Sequence, residues 1–140
     1  VSRRAAPAAL ATTCAARKDP RPGLLPAWQR YRSPRIQHVR ALAGQRQLPF
    51  LILSGRFGLL AAEEAIPSYD HLLLSGEVED LLAQVVRQLE AFGLTRLEFH
   101  HRPLEVDPLL APYLDLMTRA CRAASVELSL VELHDLAGLD

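Results

Sequence analysis

The chain reads as an α/β protein, three layers of α/β/α around a mostly parallel sheet of about four strands. Three observations predict this. Strand-like and helix-like segments alternate along the length. The run 48–53 is apolar throughout, as a strand covered on both faces should be. It then breaks at Ser54-Gly55-Arg56-Phe57-Gly58 into a polar, glycine-flexed loop. In open α/β sheets that is the end of the strands where ligands bind.

Taken in order, residues 8–13 are small and β-permissive and form a first strand. A turn-rich stretch follows at 14–26, with Pro20, Pro22, Gly23 and Pro26, and Trp28 and Tyr31 are expected to pack it onto the domain. Ser33-Pro34 gives an N-cap and a proline in the first helical turn, and Ile36, Val39, Leu42 and Ala43 share one face, so a helix spans 34–46. After the 48–53 strand, residues 54–75 read as one long loop, and long loops in compact domains are usually functional. Ser75 is expected to cap the next helix, in which Val78, Leu81, Leu82, Val85, Val86, Leu89 and Phe92 trace a one-sided stripe ended by Gly93. A less central strand at 96–101, a helix opening at Asp107-Pro108 with Cys121 on its core face, and an edge strand at 126–133 complete one domain over 1–140.

Composition excludes several classes. With 49% hydrophobic and 23% charged residues the chain is an ordinary globular one. No apolar run reaches the ~20 residues of a membrane span, so no membrane partner is expected. Arg3-Arg4 ahead of an alanine-rich run and Cys14 imitates an export signal, but that run is short and holds Pro7. Two cysteines far apart make no disulfide framework, and a reducing cytoplasm is expected. The charge is zero overall yet segregated: residues 1–48 hold ten Lys or Arg against one acid, and 49–140 hold six against fifteen. That asymmetry suits a face for phosphate or nucleic acid, a self-complementary homodimer, or arginines that are simply solvated.

Groups able to do chemistry gather at three strand ends: Thr12-Thr13-Cys14, Ser54-Gly55-Arg56 and His100-His101-Arg102. Cys14 in cationic company is a candidate nucleophile; the plainer reading is a small half-buried residue at a strand end. Adjacent histidines on a strand point to opposite faces, so at most one of His100 and His101 faces a site. His71, in the long loop, is the better candidate for a cleft. No histidine pair has ligand spacing, so no metal is expected. Neither GxxxxGK[ST] nor GxGxxG occurs, which disfavours triphosphate and dinucleotide binding, and no cofactor is implied.

Three stretches in order carry a resemblance: Cys14-Ala15-Ala16-Arg17-Lys18, then ILSGRFGLL at 52–60, then Ile66-Pro67-Ser68-Tyr69-Asp70. Together they resemble an uncharacterised bacterial family with a cysteine-then-lysine loop, an ILSxxxGL strand-loop and a PxYD element. That family is similar to the YaaA-like peroxide-stress proteins and to the catalytic core of archaeosine synthase, where a CSxxKPYS-type loop serves tRNA-base modification. The likeness covers about residues 8–92, the last third matching in architecture alone. It implies a site of Cys14, Lys18, Ser54, Gly55, Gly58, Tyr69 and Asp70, to which the residue-level reading adds Arg56. Asp19-Pro20-Arg21 lacks the PYS part of the synthase loop, and Arg56 replaces an alanine-lysine, so a shared cleft is expected rather than the same amidotransfer.

Two functions follow. One is an enzyme acting on a nucleobase, nucleoside or base in nucleic acid, with Cys14 as nucleophile, Tyr69 and Asp70 orienting or moving protons, and Lys18, Ser54, Gly55, Arg56 and Gly58 binding substrate. The other is a non-enzymatic nucleic-acid-binding or stress-response module.

Overall fold

The computed structural model describes residues 7–134, and Arg3-Arg4 with the start of the leader-like run lie outside them. In chain order, β1 (Ala8–Thr13) leads into a loop, a two-residue β2 (Leu25–Pro26) and a single-turn α1 (Ala27–Arg30). Then come α2 (Pro34–Arg46), β3 (Phe50–Ser54), β4 (Gly58–Ala61) and a two-residue β5 (Ala65–Ile66). The last third holds α3 (Val78–Phe92), β6 (Arg96–His101), α4 (Ala111–Ala123) and β7 (Glu127–Glu132). Among the described residues, no helix is long and apolar enough to cross a membrane.

The sheet has five strands in the order β4-β3-β1-β6-β7, parallel except for β4. The expected count of about four is corrected by β4, which pairs antiparallel with β3 inside the segment that reads as loop. A four-residue run folded back by a tight turn offers too short a pattern to register as a strand. β5 pairs with β2, so the stretch 14–26 is also tied into structure rather than left as a free loop. β6, expected to be less central than β3, is equally interior, paired on both sides by β1 and β7.

The alternation along the strands separates two cores. Ala9 and Ala11 of β1, Leu51 and Leu53 of β3, and Leu97 and Phe99 of β6 pack with Val85, Leu89, Leu116 and Met117 from α3 and α4. Leu10, Phe50 and Ile52 point the other way and pack with Ile36, Val39 and Ala43 of α2 and with Tyr31. Small side chains on β1 let helices approach the middle of the sheet. The α2 boundaries follow the sequence: the Ser33 hydroxyl accepts from the Ile36 amide at 3.3 Å. At α3 the cap differs. Ser75 opens a 3₁₀ turn, Ser75–Glu77, and the Glu77 carboxylate accepts from the Leu74 amide at 2.8 Å.

Because α2 follows β1 on one face and α4 follows β6 on the other, the chain reverses direction between these two adjacent strands. A crevice at their carboxyl ends results, the usual ligand position in such sheets. The β3–β4 turn is fastened from outside: Gln84 and Gln88 of α3 donate to the Phe57 carbonyl at 2.9 and 3.1 Å, and Gln88 accepts from the Leu59 amide at 2.7 Å. Gly58, with φ of 73°, lies against Gln88, so a side chain there is strained and also collides.

Gly58→Ala is therefore expected to cost about 1–2 kcal/mol from the left-handed backbone alone. Gly44→Ala, at an open position near the end of α2, is expected to gain about 0.5–1 kcal/mol. Urea unfolding reads both as opposite shifts of midpoint at unchanged slope.

Candidate functional site

The crevice is a cleft of about 250 Å³ lined by three segments. The loop after β1 gives Cys14, Ala15, Ala16 and Lys18; the stretch before α3 gives Asp70, His71 and Leu72; the segment after β6 gives Arg102, Asp107, Leu109, Leu110 and Tyr113. Roomier hollows lie elsewhere, one of about 480 Å³ at the opposite end of the sheet beside Arg40, Leu48 and Phe92. That hollow carries no thiol, histidine or hydroxyl, so size alone does not select the site.

Cys14 is half-buried at the rim, and its thiol donates to the Tyr113 hydroxyl at 3.8 Å. The backbone beneath it is held by Arg35, a fully buried arginine from α2. Its guanidinium donates to Thr12 Oγ1 at 2.6 Å, to the Thr13 carbonyl at 2.8 Å and to the Cys14 carbonyl at 3.1 Å. Thr12 in turn donates to the His100 carbonyl at 2.8 Å, joining the ends of β1 and β6. A planar fork can meet several diverging acceptors at once, which an ammonium cannot do in the same geometry.

The three tyrosines of the chain all converge here. The Ser54 hydroxyl accepts from the amides of Arg56 and Phe57 at 3.1 and 3.0 Å, which fills its lone pairs, so its proton goes to Tyr69 Oη at 2.8 Å. Tyr69 then donates onward to Tyr31 Oη. Tyr113 accepts from the Leu73 amide at 3.0 Å as well as from Cys14. Burial first, and the neighbouring Cys14 second, push all three phenols well above the usual tyrosine range. They stay protonated, so none of them serves as a base. The Lys18 ammonium caps this cluster, 4.7 Å from the centre of the Tyr69 ring and 5.7 Å from that of Tyr31, while donating to the carbonyls of Ala15 and Ala16 at 3.1 and 3.3 Å.

Of the residues singled out from sequence, Cys14, Lys18, Asp70, His71 and Arg102 line the cleft together. Ser54 and Tyr69 sit beneath, linked to it through the Lys18 contact. Gly55 lies under the floor: a Cβ there would come within 2.9 Å of the Tyr113 hydroxyl, so the glycine makes room for a tyrosine. Arg56 is exposed beside Phe57, and Gly58 faces α3; neither reaches the cleft. His100 lies on the α2 face, donating from Nε2 to Glu98 at 2.8 Å, and burial lowers its pKa so that the ring stays neutral. His101 is buried with Nδ1 on the Arg102 carbonyl at 2.8 Å. Both histidines are structural. Among the described residues, no three His, Cys, Asp or Glu side chains gather as a metal site.

Tyr113, Arg35, Asp107 and the partner of His71 are what sequence reasoning missed. Tyr113 reads as core from its helical spacing, and nothing in the sequence signals its contact with a thiol. Arg35 belonged to the basic first third. Several of those cations are engaged internally. Arg30, fully buried, donates to the carbonyls of Asp19, Arg21, Gly23 and Ile66 at 2.6–3.3 Å. Arg21 grips the Asp19 carboxylate with bonds of 2.8–3.1 Å, holding it well below the usual carboxylate range. Arg40 stacks on Trp28 at 3.8 Å.

Compared with protein-family models, curated proteins and solved structures, the chain matches none.

Arg35→Lys is expected to lower stability by about 2 kcal/mol or more, because buried carbonyl oxygens lose their donor and each such loss costs about 1–3 kcal/mol. Chemical denaturation of the two proteins measures this, and an unchanged midpoint would contradict the clamp.

Proposed function

We propose that the protein is an enzyme acting on a nucleobase, a nucleoside or a base within nucleic acid, and that the cleft between the ends of β1 and β6 is its active site. The single observation carrying this is the meeting of the Cys14 thiol with Lys18 and Asp70 on one concave surface at the reversal point of the sheet. The resemblance of the Cys14–Lys18, 52–60 and 66–70 stretches to motifs of base-modifying proteins agrees with it. At about 250 Å³ the cleft lies below the ~300 Å³ at which drug-sized pockets begin, which suits one ring system.

In this reading Leu72 and Leu109 flank the flat faces of the ring, and Asp70 accepts from an N–H at its edge. Cys14 attacks an electrophilic ring carbon. Lys18 offers a positive charge fixed in place by two carbonyls and two aromatic faces, so stabilising developing negative charge needs little reorganisation. Ser54 and Tyr69 brace that lysine, and Gly55 leaves room for Tyr113 beside the thiol. Arg17 opens a shallower hollow with Trp28 and Arg32, which would meet phosphate or a neighbouring base of a longer substrate. We read the fold as a three-layer sandwich of the cytoplasm, where the thiol stays reduced. A non-enzymatic nucleic-acid module has less support, since so many of the basic residues are engaged within the fold.

The test is a thermal-shift panel of the four RNA bases and their ribonucleosides, followed by chromatography for consumption of any that bind. At least one is expected to stabilise the protein, by about 2.7 kcal/mol at a hundredfold excess over Kd. Cys14→Ser is expected to keep the melting temperature and abolish consumption. Turnover that survives this substitution would overturn the assignment.

A further inference from the structure

The proposed site has a nucleophile but no stated base. The tyrosines are too weakly acidic in this setting to serve, and Lys18 is committed to carbonyls and rings. The histidines of β6 are turned to structural tasks. One imidazole lies on the cleft wall, that of His71.

We infer that His71, oriented by Glu77, is the general base and acid that works with Cys14, a role that rests on the active-site reading and extends it. His71 Nε2 lies 3.1 Å from both carboxylate oxygens of Glu77. That carboxylate does not wander, because it also accepts from the Leu74 amide at 2.8 Å, across the turn that starts the α3 segment. With Nε2–H given to a carboxylate, the tautomer is set and Nδ1 carries the lone pair. A nucleophile and a base on one site, with the base aligned by a third group, is the arrangement that activates thiols and hydroxyls generally. A cleft of about 250 Å³ holds one small molecule, so a substrate in contact with Cys14 also meets His71. The other charged or titratable groups facing it are Lys18, Asp70, Arg102, Asp107 and Tyr113. None of these is an imidazole steadied by a carboxylate on its far side.

The step balances without an added reagent. His71 Nδ1 takes the proton from Cys14 Sγ, and the sulfur electron pair forms an S–C bond to a ring carbon of a C=N unit. The π pair moves to the ring nitrogen, which takes the proton back from the imidazolium. Glu77 is a positioning residue, acting only through the ring it holds.

Thiol alkylation tests this without knowing the substrate. The whole chain is treated with iodoacetamide at pH 7 and modification of Cys14 followed by peptide mass. Cys121 does not interfere, being buried with its thiol pushed up to about 11. His71→Gln is expected to slow alkylation of Cys14 by about tenfold or more. Free imidazole is expected to restore much of the rate in His71→Ala and to do nothing for wild type. Glu77→Gln, which keeps an acceptor for the Leu74 amide, is expected to give a smaller fall that imidazole does not rescue. His71 is half-exposed on an irregular segment, so these variants should melt close to wild type. A rate in His71→Gln within twofold of wild type would overturn the inference. Base consumption by wild type and its loss in Cys14→Ser test the site itself independently of that rate.

Discussion

A guanidinium buried at the carboxyl end of the central strand is the constraint on which the rest of this molecule depends. Where β1 stops, its last carbonyls turn away from the sheet and would be left without donors beneath α2. Arg35 reaches in from that helix and satisfies two of them together with the Thr12 hydroxyl. This fixes the direction in which the chain leaves the sheet and so fixes Cys14 at the rim. A second buried fork, on Arg30, does the same for the loop that follows, binding four carbonyls from Asp19 to Ile66. Buried charges are tolerated when they are closely hydrogen-bonded, and a planar fork suits an irregular loop rich in carbonyls that need donors.

These clamps place the candidate site where the topology already leaves a crevice. The helices after β1 and β6 depart to opposite faces, and the loops between strand and helix form the walls. Rigid elements hold Cys14 from below, its thiol through Tyr113 and its carbonyl through Arg35, and the ammonium from the side through the Ala15 and Ala16 carbonyls. The segment 67–74, which belongs to no strand or helix, supplies Asp70 and His71 to the third wall.

Much of the architecture was legible because its signals are local. The 34–46 helix carries its own cap and proline, the 78–92 helix its stripe and glycine stop, and 8–13 and 96–101 their strand character. β4 was not legible, since Gly58–Ala61 gains its strand identity only from pairing with β3. Cys14 could be nominated by residue type and strand-end position, and Lys18 and Asp70 through the motifs that carry the resemblance. Arg35 and Tyr113 could not. A helical arginine ordinarily means a solvated face, and a helical tyrosine at core spacing ordinarily means packing. Only the third dimension turns the first inward beneath a strand end and sets the hydroxyl of the second against a thiol 99 residues away. Gly55 shows the same limit: the sequence signals a close approach, but what approaches is a tyrosine from α4.

The central claim is that the crevice between β1 and β6 takes the ligand. Amide chemical-shift mapping addresses it most directly, with ¹⁵N-labelled protein titrated by a mixture of nucleobases and ribonucleosides. Perturbations are expected to be confined to residues 14–18, 70–73 and 102–113, with β7 and the amino ends of the strands unmoved. Perturbations centred on Arg40, Leu48 and Phe92, or none at saturating ligand, would contradict it.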